Sequence, residues 1–204
     1  MKSSLIALFT LFAFIASSAK AEFVVDVNGD PVINGGTYYI LPYIWALGGG
    51  VGLAKTGNET CPLTVVQSRA EVDNGLPWRI SSPLRILYLP TNARLDFFSV
   101  QGKVPNCVPS PSSWTIVEKE DGVKSVKISE YKNTIKGVFM IQKYTQIAYK
   151  IVFCPTDGNS CVDIGRSSRG LCLVITNDIP LGVVFVKAES SEVSKQVINN
   201  VLEA

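Results

Sequence analysis

The stretch that decides the fold of this chain is Val24-Val25-Asp26-Val27-Asn28-Gly29-Asp30-Pro31-Val32, which is followed after five residues by Tyr38-Tyr39-Ile40. Its pattern is apolar-x-Asp-x-x-Gly-x-x-apolar and then Tyr-x-apolar. Val, Ile and Tyr fit a half-buried pleated surface, whereas Asn, Gly, Asp and Pro mark turns. The segment 38–40 is therefore the first of many candidate β-strands.

Similar short apolar runs, separated by Gly, Pro, Asn or Asp, recur through the body of the chain. No helical period lasts through this region, so the pattern predicts an all-β sandwich or barrel. The candidate strands are residues 38–40, 63–67, 85–89, 96–100, 114–118, 125–129, 138–142, 148–153, 171–176 and 183–187.

Residues 1–21 have the features of a secretory signal peptide. Lys2 supplies a positive charge, residues 5–16 are apolar, and Ala19-Lys20-Ala21 fits a cleavage site. The apolar run is shorter than the roughly 20 residues that span a bilayer. We therefore expect one mature domain over residues 22–187 that is secreted (extracellular or apoplastic) or vacuolar and does not bind a membrane.

Residues 188–204 follow this domain as a tail. Val193, Val197 and Val201 recur every four residues, which is a helical spacing. The tail is either helical or a removable sorting peptide, and the sequence leaves both interpretations open.

The charge and the missing histidine exclude several classes of function. The chain has 19 basic and 17 acidic residues, and removal of Lys2 and Lys20 with the leader leaves no net charge and no general attraction to nucleic acid. Without histidine, neither a Ser-His-Asp triad nor an imidazole metal site can form. The carboxylates are scattered, so a carboxylate-based glycosidase is the weakest alternative. We expect no enzymatic activity, no cofactor and no metal.

Five cysteines in a secreted chain indicate two disulfides and one free thiol. Cys154 and Cys161 flank a turn-rich segment and could close a small loop, which leaves Cys61 and Cys107 as the long bridge. Cys172 lies in an apolar strand-like run. It is either a small buried hydrophobe or the site of an intermolecular bridge.

Two exposed-loop candidates remain. Asn58-Glu59-Thr60 is an N-glycosylation acceptor, although it directly precedes Cys61. Ser81-Ser82-Pro83-Leu84-Arg85-Ile86-Leu87 contains an Arg-Ile bond of the kind that trypsin-like proteases cut. Pro83 fixes its own φ and pushes Ser82 towards an extended conformation. A rigid, extended Arg-X bond is either a cleavage site or the substrate-like segment of a protease inhibitor. Taken alone, Arg85 is an ordinary exposed arginine at the end of a strand.

The opening stretch resembles the signature of the plant Kunitz soybean trypsin inhibitor family, and further matches follow in the order of that family. The resemblance covers about residues 23–187. The matching stretches are Asn34-Gly35-Gly36-Thr37-Tyr38-Tyr39-Ile40-Leu41, Thr56-Gly57-Asn58-Glu59-Thr60-Cys61-Pro62-Leu63-Thr64-Val65-Val66-Gln67-Ser68, Ser81-Ser82-Pro83-Leu84-Arg85-Ile86, Trp114-Thr115-Ile116-Val117-Glu118 and Tyr149-Lys150-Ile151-Val152-Phe153-Cys154-Pro155.

This resemblance implies a β-trefoil with pseudo-threefold symmetry, in which twelve strands form a six-stranded barrel with a cap of hairpins. It implies the disulfides Cys61–Cys107 and Cys154–Cys161. It also implies a reactive loop with Arg85 at the primary specificity position (P1) and Asn34 as the residue that braces the loop. The loop residues from P3 to P2′ are Pro83, Leu84, Arg85, Ile86 and Leu87.

The resemblance further implies a substrate-like inhibitor whose partner is a trypsin-like serine protease. We expect a monomer, with a dimer through Cys172 as the alternative. A non-inhibitory storage, defence or binding protein on the same scaffold, directed at an amylase or another class of protease, is the alternative function. The chain departs from the family at Cys172, which lies outside its four-cysteine pattern, and at Leu87, where the family often has a polar residue.

Overall fold

The structure is a computed structural model that describes residues 22–188 except 110, 130, 132, 159, 168 and 169. The predicted signal peptide and all but the first residue of the predicted tail lie outside the described residues. No helix of the described part is long and apolar enough to cross a membrane.

The described residues form thirteen β-strands and one short 3-10 helix, which spans Trp45–Leu47. The strands are β1 Thr37–Pro42, β2 Val51–Ala54, β3 Thr64–Gln67, β4 Pro77–Ser81, β5 Asp96–Ser99, β6 Trp114–Glu118, β7 Lys124–Ile128, β8 Thr134–Ile135, β9 Gly137–Lys143, β10 Tyr149–Pro155, β11 Val162–Arg166, β12 Leu173–Thr176 and β13 Gly182–Lys187.

Six of these strands close into a ring. The neighbours β1–β4, β4–β5, β9–β10, β10–β13 and β13–β1 are antiparallel pairs. The ring closes between β5 and β9 through a bridge from Leu95, directly before β5, to Phe139. A closed barrel leaves no strand edge unpaired, which removes a template for aggregation.

Three hairpins, β2–β3, β6–β7 and β11–β12, cap this barrel. They meet through the pairs Thr64–Lys127 and Ser125–Val174 and through a bridge from Val66 to Cys172. The chain thus consists of three units with the same plan, β1–β4, β5–β9 and β10–β13. This arrangement confirms the all-β trefoil.

The strand count exceeds the expected twelve because the last strand of the second unit changes partner. Its first part, β8, pairs with β6 in the cap, and its second part, β9, pairs with β10 in the barrel. Only Lys136 separates the two parts. Together β8 and β9 occupy one position of the trefoil.

The prediction of a strand at residues 85–89 is wrong. This run forms no ladder, and only Tyr88 makes an isolated bridge, to Ile33. Four strands were missed because their sequences carry weak strand signals. They are the glycine-containing β2 and β11, the proline-led β4 and the two-residue β8.

The opening stretch Val24–Val32 forms no regular strand, and it is joined to the barrel where the N–H of Val27 donates to the carbonyl of Phe185 at 3.0 Å. Asp26 is buried, and its Oδ1 accepts the backbone N–H groups of Asn28 and Asp30 at 2.9 and 3.1 Å. Gly29 completes this turn with φ of +84°, a conformation that glycine adopts without strain. The Asp-x-x-Gly spacing in the sequence is therefore the requirement of one tight turn.

An aromatic cluster fills the barrel on the side of the second unit. Phe97 stacks on Trp114 with ring centroids 4.5 Å apart, and Trp78 meets Trp114 edge-on at 5.3 Å. Trp78 is fully buried, and its indole N–H donates to the carbonyl of Val51 at 3.0 Å. This bond satisfies the buried indole and joins β4 of the barrel to β2 of the cap.

A buried ion pair joins two of the cap hairpins. Lys127 of β7 contacts the Glu59 carboxylate, and their side chains are only 8% and 11% exposed. The carboxylate also accepts the Thr56 N–H at 2.9 Å and the Thr64 hydroxyl at 2.8 Å. Burial by itself would raise the pKa of Glu59, but the hydrogen bonds and charge of these partners hold its pKa below the ordinary value.

Both expected disulfides are confirmed. Cys61–Cys107 has a Cα–Cα distance of 5.9 Å and spans 46 residues, while Cys154–Cys161 has a distance of 4.1 Å and spans 7. The longer bridge ties the cap to the connection between β5 and β6.

We predict that the two disulfides differ in their contribution to stability. In the chain-entropy model, removal of Cys61–Cys107 by a double alanine substitution lowers the free energy of unfolding by about 4 kcal/mol, and the same change at Cys154–Cys161 by about 2 kcal/mol. Urea unfolding of the two double variants measures both losses. Equal losses would contradict the dependence on loop length.

We also predict that the buried pair of Glu59 and Lys127 raises the free energy of unfolding at pH 7. Lys127→Met removes the charged partner of the buried Glu59 carboxylate and costs about 3–5 kcal/mol at pH 7. Lys150→Met removes a control pair with Asp163 that is about a quarter exposed, and costs about 1 kcal/mol or less.

The sign of the pH effect follows from the lowered pKa of Glu59. Its stabilising effect is complete above the ordinary value of 4.5 and is lost as the pH falls through the lower value of the folded state. The stability gap between the wild type and Glu59→Gln should therefore narrow as the pH falls below 4.5 in urea titrations. A constant gap would show that ionised Glu59 does not stabilise the fold.

Candidate functional site

The predicted loop lies in the connection between β4 and β5. The chain leaves the barrel after Ser81 and returns to it at Asp96. Ser82 is buried, Pro83, Leu84 and Arg85 are exposed, Ile86 is half-buried, and Leu87 is exposed again. The guanidinium of Arg85 makes no hydrogen bond or ion pair with any residue that the structure describes. It is therefore free to bind another molecule.

The side chain of Asn34 lies behind this loop and binds it at four backbone groups. Its Nδ2 donates to the carbonyls of Ser82, Leu84 and Ile86 at 3.3, 3.1 and 3.1 Å. Its Oδ1 accepts the N–H of Ser82 at 2.8 Å and the hydroxyl of Ser81 at 3.3 Å. One half-buried amide thus contacts the backbone on both sides of the Arg85–Ile86 peptide bond.

Backbone bonds fix the position of Asn34 itself. Its N–H donates to the carbonyl of Leu87 at 2.8 Å, and the N–H of Gly35 donates to Ile80 at 2.8 Å. Gly35 has φ of +80°, so the tight turn that aims Asn34 at the loop suits a glycine. The neighbouring Ile33 donates its N–H to the hydroxyl of the buried Tyr38 at 2.9 Å. Asn34 is held by the barrel before any partner binds.

Bonds inside the loop shape the backbone at Arg85. The N–H of Leu84 donates to Ser82 Oγ at 3.3 Å, and the N–H of Ile86 donates to the carbonyl of Leu84 at 3.0 Å. A bond from residue i+2 to residue i makes a three-residue turn centred on Arg85. The loop is therefore bent at Arg85 and not fully extended there, contrary to the sequence-based expectation.

Sequence reasoning missed the contribution of the two serines that precede Pro83. Ser82 offers its N–H to Asn34 and its Oγ to Leu84, and the Ser81 hydroxyl also reaches Asn34. The only available signal was the preference of serine for bonding to nearby backbone groups. That preference is too general to have singled out these residues.

The other predicted positions lie elsewhere. Asn58 and Thr60 are exposed in the turn between β2 and β3. Cys172 is half-buried directly before β12 and forms no disulfide within the described part of the chain. No cluster of potential metal ligands occurs among the described residues.

A cavity of about 590 Å³ is present at the cap and includes Gln67, Lys124 and Arg166 among its lining residues. No residue of 82–87 lines it. The candidate site is an exposed loop that lies outside this cavity, which suits a protein partner better than a small substrate.

Comparison with known proteins shows the family of this chain. The family model described as trypsin and protease inhibitor, of the legume Kunitz type, matches residues 24–187. Trypsin inhibitor DE-3 of Erythrina caffra is 46% identical over 82% of this chain and 99% of its own length, and trypsin inhibitor A of Glycine max is 41% identical over 96% of both chains.

Among solved structures, soybean trypsin inhibitor in complex with porcine pancreatic trypsin has a TM-score of 0.75. It is 42% identical, and the match covers 82% of this chain and all of that chain. These relatives are named as inhibitors and not as enzymes. The chain belongs to the legume Kunitz family of trypsin and protease inhibitors.

Proposed function

We propose that this protein inhibits trypsin-like serine proteases as a substrate analogue, with Arg85 as its P1 residue. The observation that carries the proposal is an exposed, unpaired arginine on a loop that the Asn34 amide holds from behind. The complex of soybean trypsin inhibitor with porcine trypsin supports the same partner class for a relative.

Binding places the Arg85 guanidinium in a deep pocket of the protease that ends in a carboxylate. A guanidinium and a carboxylate form a bidentate, charge-assisted pair, which is among the strongest polar contacts between proteins. Because Arg85 has no partner among the described residues of the free protein, binding breaks no internal ion pair of the inhibitor. The favourable free energy of the new ion pair is therefore not offset by the loss of an internal one.

The hydrogen bonds of Asn34 supply the inhibitory part of the mechanism. They order the loop during folding, so that binding does not have to meet this entropic cost. They also bind Leu84 on one side of the Arg85–Ile86 bond and Ile86 on the other, at 3.1 Å each. After hydrolysis both new chain ends stay in place, and the enzyme can rejoin them instead of releasing a product.

The two disulfides support a secreted or vacuolar location, since disulfides persist in oxidising compartments. The glycosylation acceptor at Asn58, in which Asn58 and Thr60 are exposed, suits the same location. We propose that the mature protein meets its target protease after export.

We predict that Arg85→Ala weakens inhibition of trypsin by about 10²–10⁴-fold, because hot-spot truncations cost about 3–5 kcal/mol or more. Arg85→Lys keeps the charge and should retain most of the inhibition. Arg94→Ala is the matched control, since Arg94 is an exposed arginine of the same connection outside residues 82–87. Titration of trypsin with each variant gives the inhibition constants, and unchanged inhibition by Arg85→Ala would refute the assignment of P1.

We predict that Asn34→Ala converts the inhibitor into a substrate. Loss of the side-chain bonds costs about 1–3 kcal/mol, so inhibition should weaken by roughly ten- to a hundredfold and the Arg85–Ile86 bond should be cut faster. Mass spectrometry with catalytic amounts of trypsin follows the cleavage. Asn28→Ala, which changes an exposed turn asparagine, is the control. Cleavage of Asn34→Ala at the wild-type rate would exclude the bracing role.

A further inference from the structure

Leu87 is the most exposed large apolar side chain of the candidate loop. It is 63% exposed, compared with 54% for Leu84 on the other side of Arg85. A single exposed leucine is ordinary on a protein surface and indicates nothing by itself. What distinguishes Leu87 is the fixed backbone that carries it.

Both sides of Leu87 are attached to the body of the protein. Its carbonyl accepts the N–H of Asn34 at 2.8 Å, and the next residue, Tyr88, makes a bridge with Ile33. The preceding carbonyl, of Ile86, is held by Asn34 Nδ2 at 3.1 Å. The position of Leu87 relative to Arg85 is therefore set before binding, and little ordering cost remains for a partner to meet.

The side chain of Leu87 has no part in the hydrophobic core. It belongs neither to the buried cluster nor to the half-buried residues that pack against it, whereas Leu89, two residues later, is fully buried. The apolar surface of Leu87 therefore contributes a favourable burial free energy only when another molecule covers it.

We propose that Leu87 is a specificity-determining residue that selects, among trypsin-like proteases, those with an apolar S2′ site. This inference rests on the proposed function. Arg85 fixes the class of protease, while Leu87, two residues after Arg85, contacts the enzyme surface beyond the scissile bond. An enzyme with an apolar S2′ site buries this leucine and binds more tightly. An enzyme with a charged S2′ site binds more weakly, because the leucine removes water from that charge without pairing it.

The test uses a panel of trypsin-like proteases ranked by their own cleavage of peptides that contain Arg-Ile-Leu, Arg-Ile-Ala or Arg-Ile-Glu. Inhibition constants are measured for the full-length mature protein and for Leu87→Ala, Leu87→Glu and Leu84→Ala. The last variant is the matched control, because it removes an exposed leucine from the opposite side of Arg85. Circular dichroism of each variant verifies the fold, which these exposed positions should not disturb.

We expect Leu87→Ala to weaken inhibition about ten- to a hundredfold for enzymes that prefer leucine at P2′ and less than about threefold for those that do not. Leu87→Glu should weaken inhibition further for the first group. The effect of Leu84→Ala should not follow the P2′ ranking.

Two results would overturn the inference alone: the same weakening by Leu87→Ala across the whole panel, or an equal dependence of Leu84→Ala on the P2′ ranking. In both cases the wild-type protein still inhibits and the proposed function stands. If the wild-type protein inhibits no member of the panel, the proposed function and the inference fail together.

Discussion

Closure of the six-stranded ring is the constraint on which the rest of the structure depends. Each ring strand has a neighbour on both sides, and the contact between β5 and β9 rests on the bridge from Leu95 to Phe139 and on the bond from the N–H of Asn92 to the carbonyl of Ile141. With the ring closed, the three hairpins have to meet at one end, where the pair of Glu59 and Lys127 joins two of them. The ring also brings the end of β4 next to the start of β5, which fixes where the loop leaves the barrel and where it returns.

The loop between these strands is long for a connection between ladder neighbours. Fourteen residues separate Ser81 from Asp96, whereas a hairpin needs only two to five. A loop of this length without ladder bonds is mobile unless other groups hold it. Here the opening stretch and the turn at Asn34 supply those groups, since Val24 donates its N–H to the carbonyl of Leu89 and Leu89 donates its N–H to that of Val32. The segment that identifies the fold in the sequence is thus also the support of the loop.

The sequence predicted most of the fold but only part of the loop. Strands such as β10 and β13 carry continuous apolar signals and were predicted within two residues, and the disulfide pairs were predicted correctly. The run 85–89 looks like a strand by composition, yet its backbone bonds outside the loop go to Val24, Val32 and Asn34, so tertiary contacts override local propensity. The bend at Arg85 depends on a backbone hydrogen bond from Ile86 to Leu84, which no residue pattern predicts. Glu59 and Lys127 are 68 residues apart, and no local spacing pairs them.

The bracing of the loop also explains why an asparagine stands at position 34. The two N–H groups of the side-chain amide have to reach three carbonyls, one of them by a shared bond, while the amide oxygen accepts the N–H of Ser82. Aspartate would retain the acceptor but place a negative charge against the carbonyl oxygens of the loop. Glutamine has both groups, but its extra methylene adds rotamer freedom that ordering must remove and displaces the amide from the carbonyls. Asparagine, placed by the turn at Gly35, is the residue whose amide reaches the backbone on both sides of the Arg85–Ile86 bond.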